Sequence, residues 1–88
     1  MADMTEVKTL KDTVSEMCSD DYKERFKAEV HQLKIRYDGL ENMLNKWDKE
    51  ELNFTPTCSK DIFISQLEVM KEYLSILEHR AEIENIVL

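Results

Sequence analysis

A single glycine and a single proline stand among 88 residues, which argues against collagen-like, linker-rich and turn-dense β architectures. Cysteine is nearly as scarce: Cys18 and Cys58 are too few to hold a disulfide scaffold. The N-terminus, Met1-Ala2-Asp3-Met4-Thr5-Glu6, lacks the basic and apolar regions of a secretory signal. Two free thiols and a cytoplasmic location are therefore expected. No apolar run reaches the roughly 18 residues that a membrane-spanning helix needs, so no membrane partner is expected. Cations are in deficit, with 12 Lys and Arg against 19 Asp and Glu and a net charge of −7. A phosphate polymer repels such a chain, so DNA or RNA is not an expected partner. A small anionic ligand is different, because the placement of a few cations decides its binding.

Clusters that could carry chemistry are also missing. His31 and His79 have no His or Cys partner three or four residues away, the spacing of a helical metal site. There is no phosphate-cradling glycine loop and no nucleophile elbow. Glu50-Glu51 and the Glu82/Glu84 pair read as solvated faces. Neither a catalytic residue nor a metal ligand nor a cofactor is expected.

What the chain does have is two heptad stripes. Phe26, Val30, Leu33, Tyr37, Leu40, Leu44 and Trp47 alternate spacings of four and three. Phe63, Leu67, Met70, Leu74, Leu77 and Ala81 do the same. Between them lies Asn53-Phe54-Thr55-Pro56-Thr57-Cys58, where Pro56 cannot continue a helix. The pattern predicts an all-α fold, an antiparallel hairpin of two long helices over 21–49 and 59–86 with a loop over 50–58. Met4, Val7, Leu10, Val14 and Met17 predict a short amphipathic helix over 4–17. Asp21, followed by Glu24, has the form of a capping box, and Tyr22 and Phe26 are expected to pack the short helix onto one end. The 88 residues read as one domain. Two helices bury little apolar surface, so a homo-oligomer is expected.

The second long helix carries more apolar surface than one seam needs. With Leu67, Leu74 and Ala81 as heptad a positions, Ile62, Val69, Ile76 and Ile83 form a further line, and Gln66, Tyr73 and Arg80 run beside it. The extra line is expected to be an oligomer interface. Two readings of Arg80 are open. It snorkels or pairs with a carboxylate such as Glu84, or several copies of Arg80 and Tyr73 line pockets between subunits. Guanidinium groups hold phosphate oxygens and aromatic rings stack on bases. Lys34, Arg36 and Tyr37 form another cation–aromatic group, either a ligand site or the charged edge of a coiled coil. Gly39 marks either a tolerated solvated position or a close approach by a helix or ligand.

The segments Glu29-x3-Leu33-x2-Arg36-x3-Leu40-x2-Met43-Leu44 and Gln66-x3-Met70-x2-Tyr73-x3-Leu77-x2-Arg80 resemble a family of small phage helical hairpins. That family includes proteins related to a crAss-like phage protein. More distantly, the chain is similar to the hairpin domain of phage anti-CBASS and anti-Thoeris sponge proteins. The resemblance covers residues 21–86. It implies a homo-oligomer in the bacterial cytoplasm that sequesters a cyclic nucleotide or cyclic ADP-ribose-type immune signal without cleaving it. It further implies that Arg80 and Tyr73 contact phosphate and base, with Gln66 as a hydrogen-bonding neighbour. Lys34, Arg36 and Tyr37 join them from charge and position alone. The loop around Pro56 and the separate N-terminal helix depart from the shorter sponges. The competing expectation is a non-enzymatic protein–protein interaction module, whose extra apolar line docks a phage or host protein.

Overall fold

Asp21 sets the start of the longest element by accepting a hydrogen bond from the Lys23 amide at 2.9 Å. The structure, a computed structural model, describes residues 7–88. Its helices are α1 (Val14–Met17), α2 (Tyr22–Asp48) and α3 (Lys60–Glu84), with a 3-10 turn over Leu10–Thr13 leading into α1. Among the described residues there is no strand. The expected reciprocal cap at Asp21 is only half made. The Asp21 amide donates to the Ser19 hydroxyl at 3.0 Å, and Glu24 turns instead to Lys27 at 3.1 Å.

Among the described residues, the N-terminal segment is not one continuous helix. Residues 4–6 of the expected helix lie outside the described residues; of the described ones, 7–9 are not helical and a helical segment starts at Leu10. The Asp12 carboxylate accepts from the amides of Lys8 and Thr9 and so caps the first turn. Those bonds hold its pKa below the usual carboxylate value. Thr13, wholly buried, donates to the Leu10 carbonyl at 2.7 Å and accepts from Gln32 at 2.8 Å. His31 meets Glu16 at 2.9 Å, and Ala28, one turn before Gln32, is buried. One face of α2 therefore carries the N-terminal segment.

The other face of α2 carries α3. The start of α2 meets the end of α3 through Tyr22 and Glu84, and the end of α2 meets the start of α3 through Asp48 and Lys60. The expected stripes supply the core. Phe26, Val30 and Leu33 pack with Leu77, Ala81 and Ile86, and Met70 and Leu74 lie against them. At the opposite end Trp47 meets the edge of Phe63, with ring centroids 6.2 Å apart, and the Lys60 ammonium lies over the indole. Packing is uneven, since Leu44 is the one buried hydrophobic residue of α2 beyond Leu33.

Both long helices end on a left-handed residue. Asn85, with φ 58°, lets the Ile86 amide reach the Ala81 carbonyl at 2.9 Å and turns Ile86 into the core. Glu50, also at φ 58°, lets the Glu51 amide reach the Lys46 carbonyl at 2.8 Å. Cys18 and Cys58 are exposed thiols. No described helix is long and apolar enough to cross a membrane. A Cβ placed on Gly39 would meet nothing within 4 Å, so the packing of this chain does not require glycine there.

Candidate functional site

Seven-residue steps on α2 reach Tyr22, Glu29 and Arg36, and the same steps backwards on α3 reach Arg80, Tyr73 and Gln66. The structure joins the first two rungs. Arg80 donates through Nη2 to the Tyr22 hydroxyl at 2.7 Å and through Nε to Glu84 at 3.3 Å. Its guanidinium carbon stands 4.8 Å from the centroid of the Phe26 ring, within cation–π range. Tyr22 in turn donates to Glu84 at 2.9 Å, and Tyr73 donates to Glu29. The third rung is open. Among the described residues, the side chains of Arg36 and Gln66 make no hydrogen bond or ion pair, and both are exposed.

This polar seam has a definite electrostatic character. The bond to Glu84, with some desolvation, raises the Tyr22 pKa above the usual phenol value, and Arg80 opposes that shift. Glu29 raises Tyr73 in the same way, and Arg80 opposes it there too. Arg80 itself loses some basicity to desolvation, but Glu84 and Tyr22 outweigh this and raise its pKa. The guanidinium stays charged, half-exposed and aimed along the α2–α3 boundary.

The six residues singled out in the sequence therefore divide into groups. Arg80 and Tyr73 lie on the engaged rungs, and Arg36 and Gln66 lie on the open one. Tyr37 is half-buried on the α2 stripe. Lys34 stands apart from them. It lines a recess of about 330 Å³ with Val7, Lys8, His31, Ile35 and Asp38, on the side of α2 that carries the N-terminal segment. The carboxylate reading of Arg80 describes its contacts within one chain.

Sequence reasoning missed Tyr22 and Glu29. The sequence pattern places Tyr22 and Phe26 against the N-terminal helix, whereas both turn towards the end of α3. The available signal was the heptad line Tyr22–Glu29–Arg36, which matches the Gln66–Tyr73–Arg80 line once the helices run past each other. Among the described residues, no group of three or more His, Cys, Asp or Glu could hold a metal ion.

Fold and seam together describe an all-helical protein with an arginine–tyrosine surface along the boundary of its two long helices. Residues 20–83 match the model of the family described as Sequestin, and the chain belongs to that family. The matched segment holds the whole of α2, nearly all of α3 and every residue of the seam except Glu84. No curated protein and no solved structure matches the chain.

Proposed function

We propose that this protein is a non-catalytic sponge, which binds a cyclic nucleotide or cyclic ADP-ribose-type immune signal and keeps it from its receptor in the phage-infected cell. Membership of a family named for sequestering carries this reading. In it, α2 and α3 form an antiparallel hairpin, and copies of the hairpin associate through Ile62, Val69, Ile76 and Ile83. The open rung supplies the first ligand contacts. Arg36 offers a guanidinium for phosphate oxygens, Gln66 offers an amide, and the rings of Tyr73 and Tyr37 offer stacking faces. Arg80 stands 14 residues from Gln66, about 21 Å along α3. It therefore joins as a second phosphate contact only from another copy of the hairpin, once the ligand competes with Glu84 for it. Lys34 lines the recess on the other side of α2, and the proposed site does not include it.

Thermal denaturation with a panel of cyclic di- and trinucleotides and cyclic ADP-ribose isomers tests the proposal. A ligand at 100 times its dissociation constant adds about 2.7 kcal/mol, a rise in Tm of about 10 °C or more for so small a domain. Arg36→Ala and Arg80→Ala should each weaken binding at least about tenfold, the loss of one charge-assisted hydrogen bond, with helicity unchanged. A flat panel with a properly folded protein would sink the sponge and favour a protein-docking module. Unchanged affinity in both variants would remove the site assignment.

A further inference from the structure

Of the twelve apolar or aromatic residues in α3, only Leu77 and Ala81 are buried. Ile62, Val69, Ile76 and Ile83 are 58%, 64%, 59% and 66% exposed, and they stand at steps of seven along about 30 Å of helix. The described N-terminal elements, Leu10–Thr13 and Val14–Met17, pack on α2 and not on α3. We infer that α3 pairs antiparallel with α3 of a second copy, and that the pairing carries the partner's Arg80 to the open rung of Arg36 and Gln66. The inference rests on the self-association in the reading above, not on the identity of the ligand.

Composition along the line argues for a protein interface. Its two flanks are Ser65, Glu72, His79 and Gln66, Tyr73, Arg80. Asp61, Glu68, Glu78 and Glu82 all lie on other faces of the helix. An apolar centre poor in charge and edged by tyrosine and arginine is the residue pattern of an interface core. Self-complementarity argues for a second copy. Reversed on itself, the line sets Ile62 against Ile83 and Val69 against Ile76, so one patch serves both subunits, as a two-fold interface requires.

The flanks choose the direction. In antiparallel helix pairs each flank meets its own copy, whereas in parallel pairs the two flanks meet each other. Antiparallel pairing sets Gln66 beside the partner's Arg80, Tyr73 beside the partner's Tyr73 on the axis, and Ser65 beside the partner's His79. Parallel pairing sets His79 against the partner's Arg80 twice over and aligns the two helix dipoles. The antiparallel form has one unfavourable contact, Glu72 against the partner's Glu72. With α2 lying behind α3, each open rung then gains a second guanidinium. Two equivalent sites per dimer would combine Arg36 and Gln66 of one chain with the partner's Arg80, around a shared pair of Tyr73 rings.

Single cysteines in a Cys18→Ser, Cys58→Ser background test the direction. Under mild oxidation Glu72→Cys should cross-link to itself, whereas Ile83→Cys alone should not, and Ile83→Cys mixed with Ile62→Cys should. Self-cross-linking of Ile83→Cys as efficient as that of Glu72→Cys would overturn the antiparallel arrangement. Sedimentation of the unmodified protein should show a dimer at micromolar concentration, and a monomer would overturn the pairing altogether. Glu72→Gln, at an exposed position, should tighten association by up to about fivefold, the range of one exposed charge pair. Weakened association would remove Glu72 from the axis. A dimer that binds nothing in the cyclic-nucleotide panel would end the sponge reading and leave the pairing standing. A monomer that binds would do the reverse.

Discussion

Arg80 keeps its charge beside an apolar line because three groups share the guanidinium. Glu84 supplies the opposite charge, Tyr22 accepts a hydrogen bond, and the Phe26 ring centroid lies 4.8 Å from the guanidinium carbon. The two tyrosines of the seam are the most direct reporters of this arrangement. Each donates its hydroxyl to a carboxylate, which raises its pKa above 10 in the folded state. A raised folded pKa means that the contribution to stability is complete below pH 10 and is lost as pH rises through the folded value. Alkaline titration followed by tyrosinate absorbance should therefore show Tyr22 and Tyr73 ionising above pH 10 while the fold persists. Glu29→Gln should bring Tyr73 down towards 10 and leave Tyr22 unmoved. If Tyr73 does not respond, its bond to Glu29 is absent in solution.

At the scale of the helix, the stop signals are the least conventional feature. Glu50 occupies the left-handed position that closes α2, where a side chain with a Cβ is disfavoured and glycine is not. Glu50→Gly should relieve that strain and raise stability by up to about 1 kcal/mol, less the greater entropy that glycine gives the unfolded chain. Chemical denaturation measures the change directly. A loss of stability would mean that the Glu50 side chain contributes more than its backbone costs. The long helices were legible because their apolar spacing runs for several heptads. Their observed ends fall within two residues of the pattern's limits, at Asp48 and Glu84. The N-terminal helix was less legible. Five apolar residues at helical spacing imply a continuous helix, but among the described residues the Asp12 carboxylate takes the Lys8 and Thr9 amides, and 7–9 stay outside the helical segment that starts at Leu10. The half-made cap at Asp21 follows the same logic, since Ser19 reaches the amide that Glu24 would have taken.

For the molecule as a whole, α2 is the central element, with the N-terminal segment on one face and α3 on the other. The candidate site was only half legible for that reason. Arg80, Tyr73 and Gln66 stand on one helix and can be read as a line, but Tyr22 and Glu29 join them only through the pairing of two helices. Lys34 and Arg36, neighbours in sequence, point to opposite sides of α2, because two residues along a helix turn a side chain by about 200°. The same arrangement makes stability lopsided. Phe26, Val30, Leu33, Leu77, Ala81 and Ile86 close one end, while the loop end relies on Leu44, the Trp47–Phe63 contact and the exposed Lys60–Asp48 pair. Leu77, 1% exposed, should cost about 2–5 kcal/mol when cut to alanine. Leu67, half-buried towards the loop end, has less packing to lose and should cost less. Native-state hydrogen exchange should accordingly find the slowest amides around residues 26–33 and 77–81, with the helix ends that flank the Pro56 loop opening first. Equal protection at both ends, or a Leu67→Ala cost matching that of Leu77→Ala, would mean that contacts outside the single chain close the loop end. Dilution separates these cases, because protection that comes from a second copy falls with protein concentration, whereas protection from the Leu77 core does not.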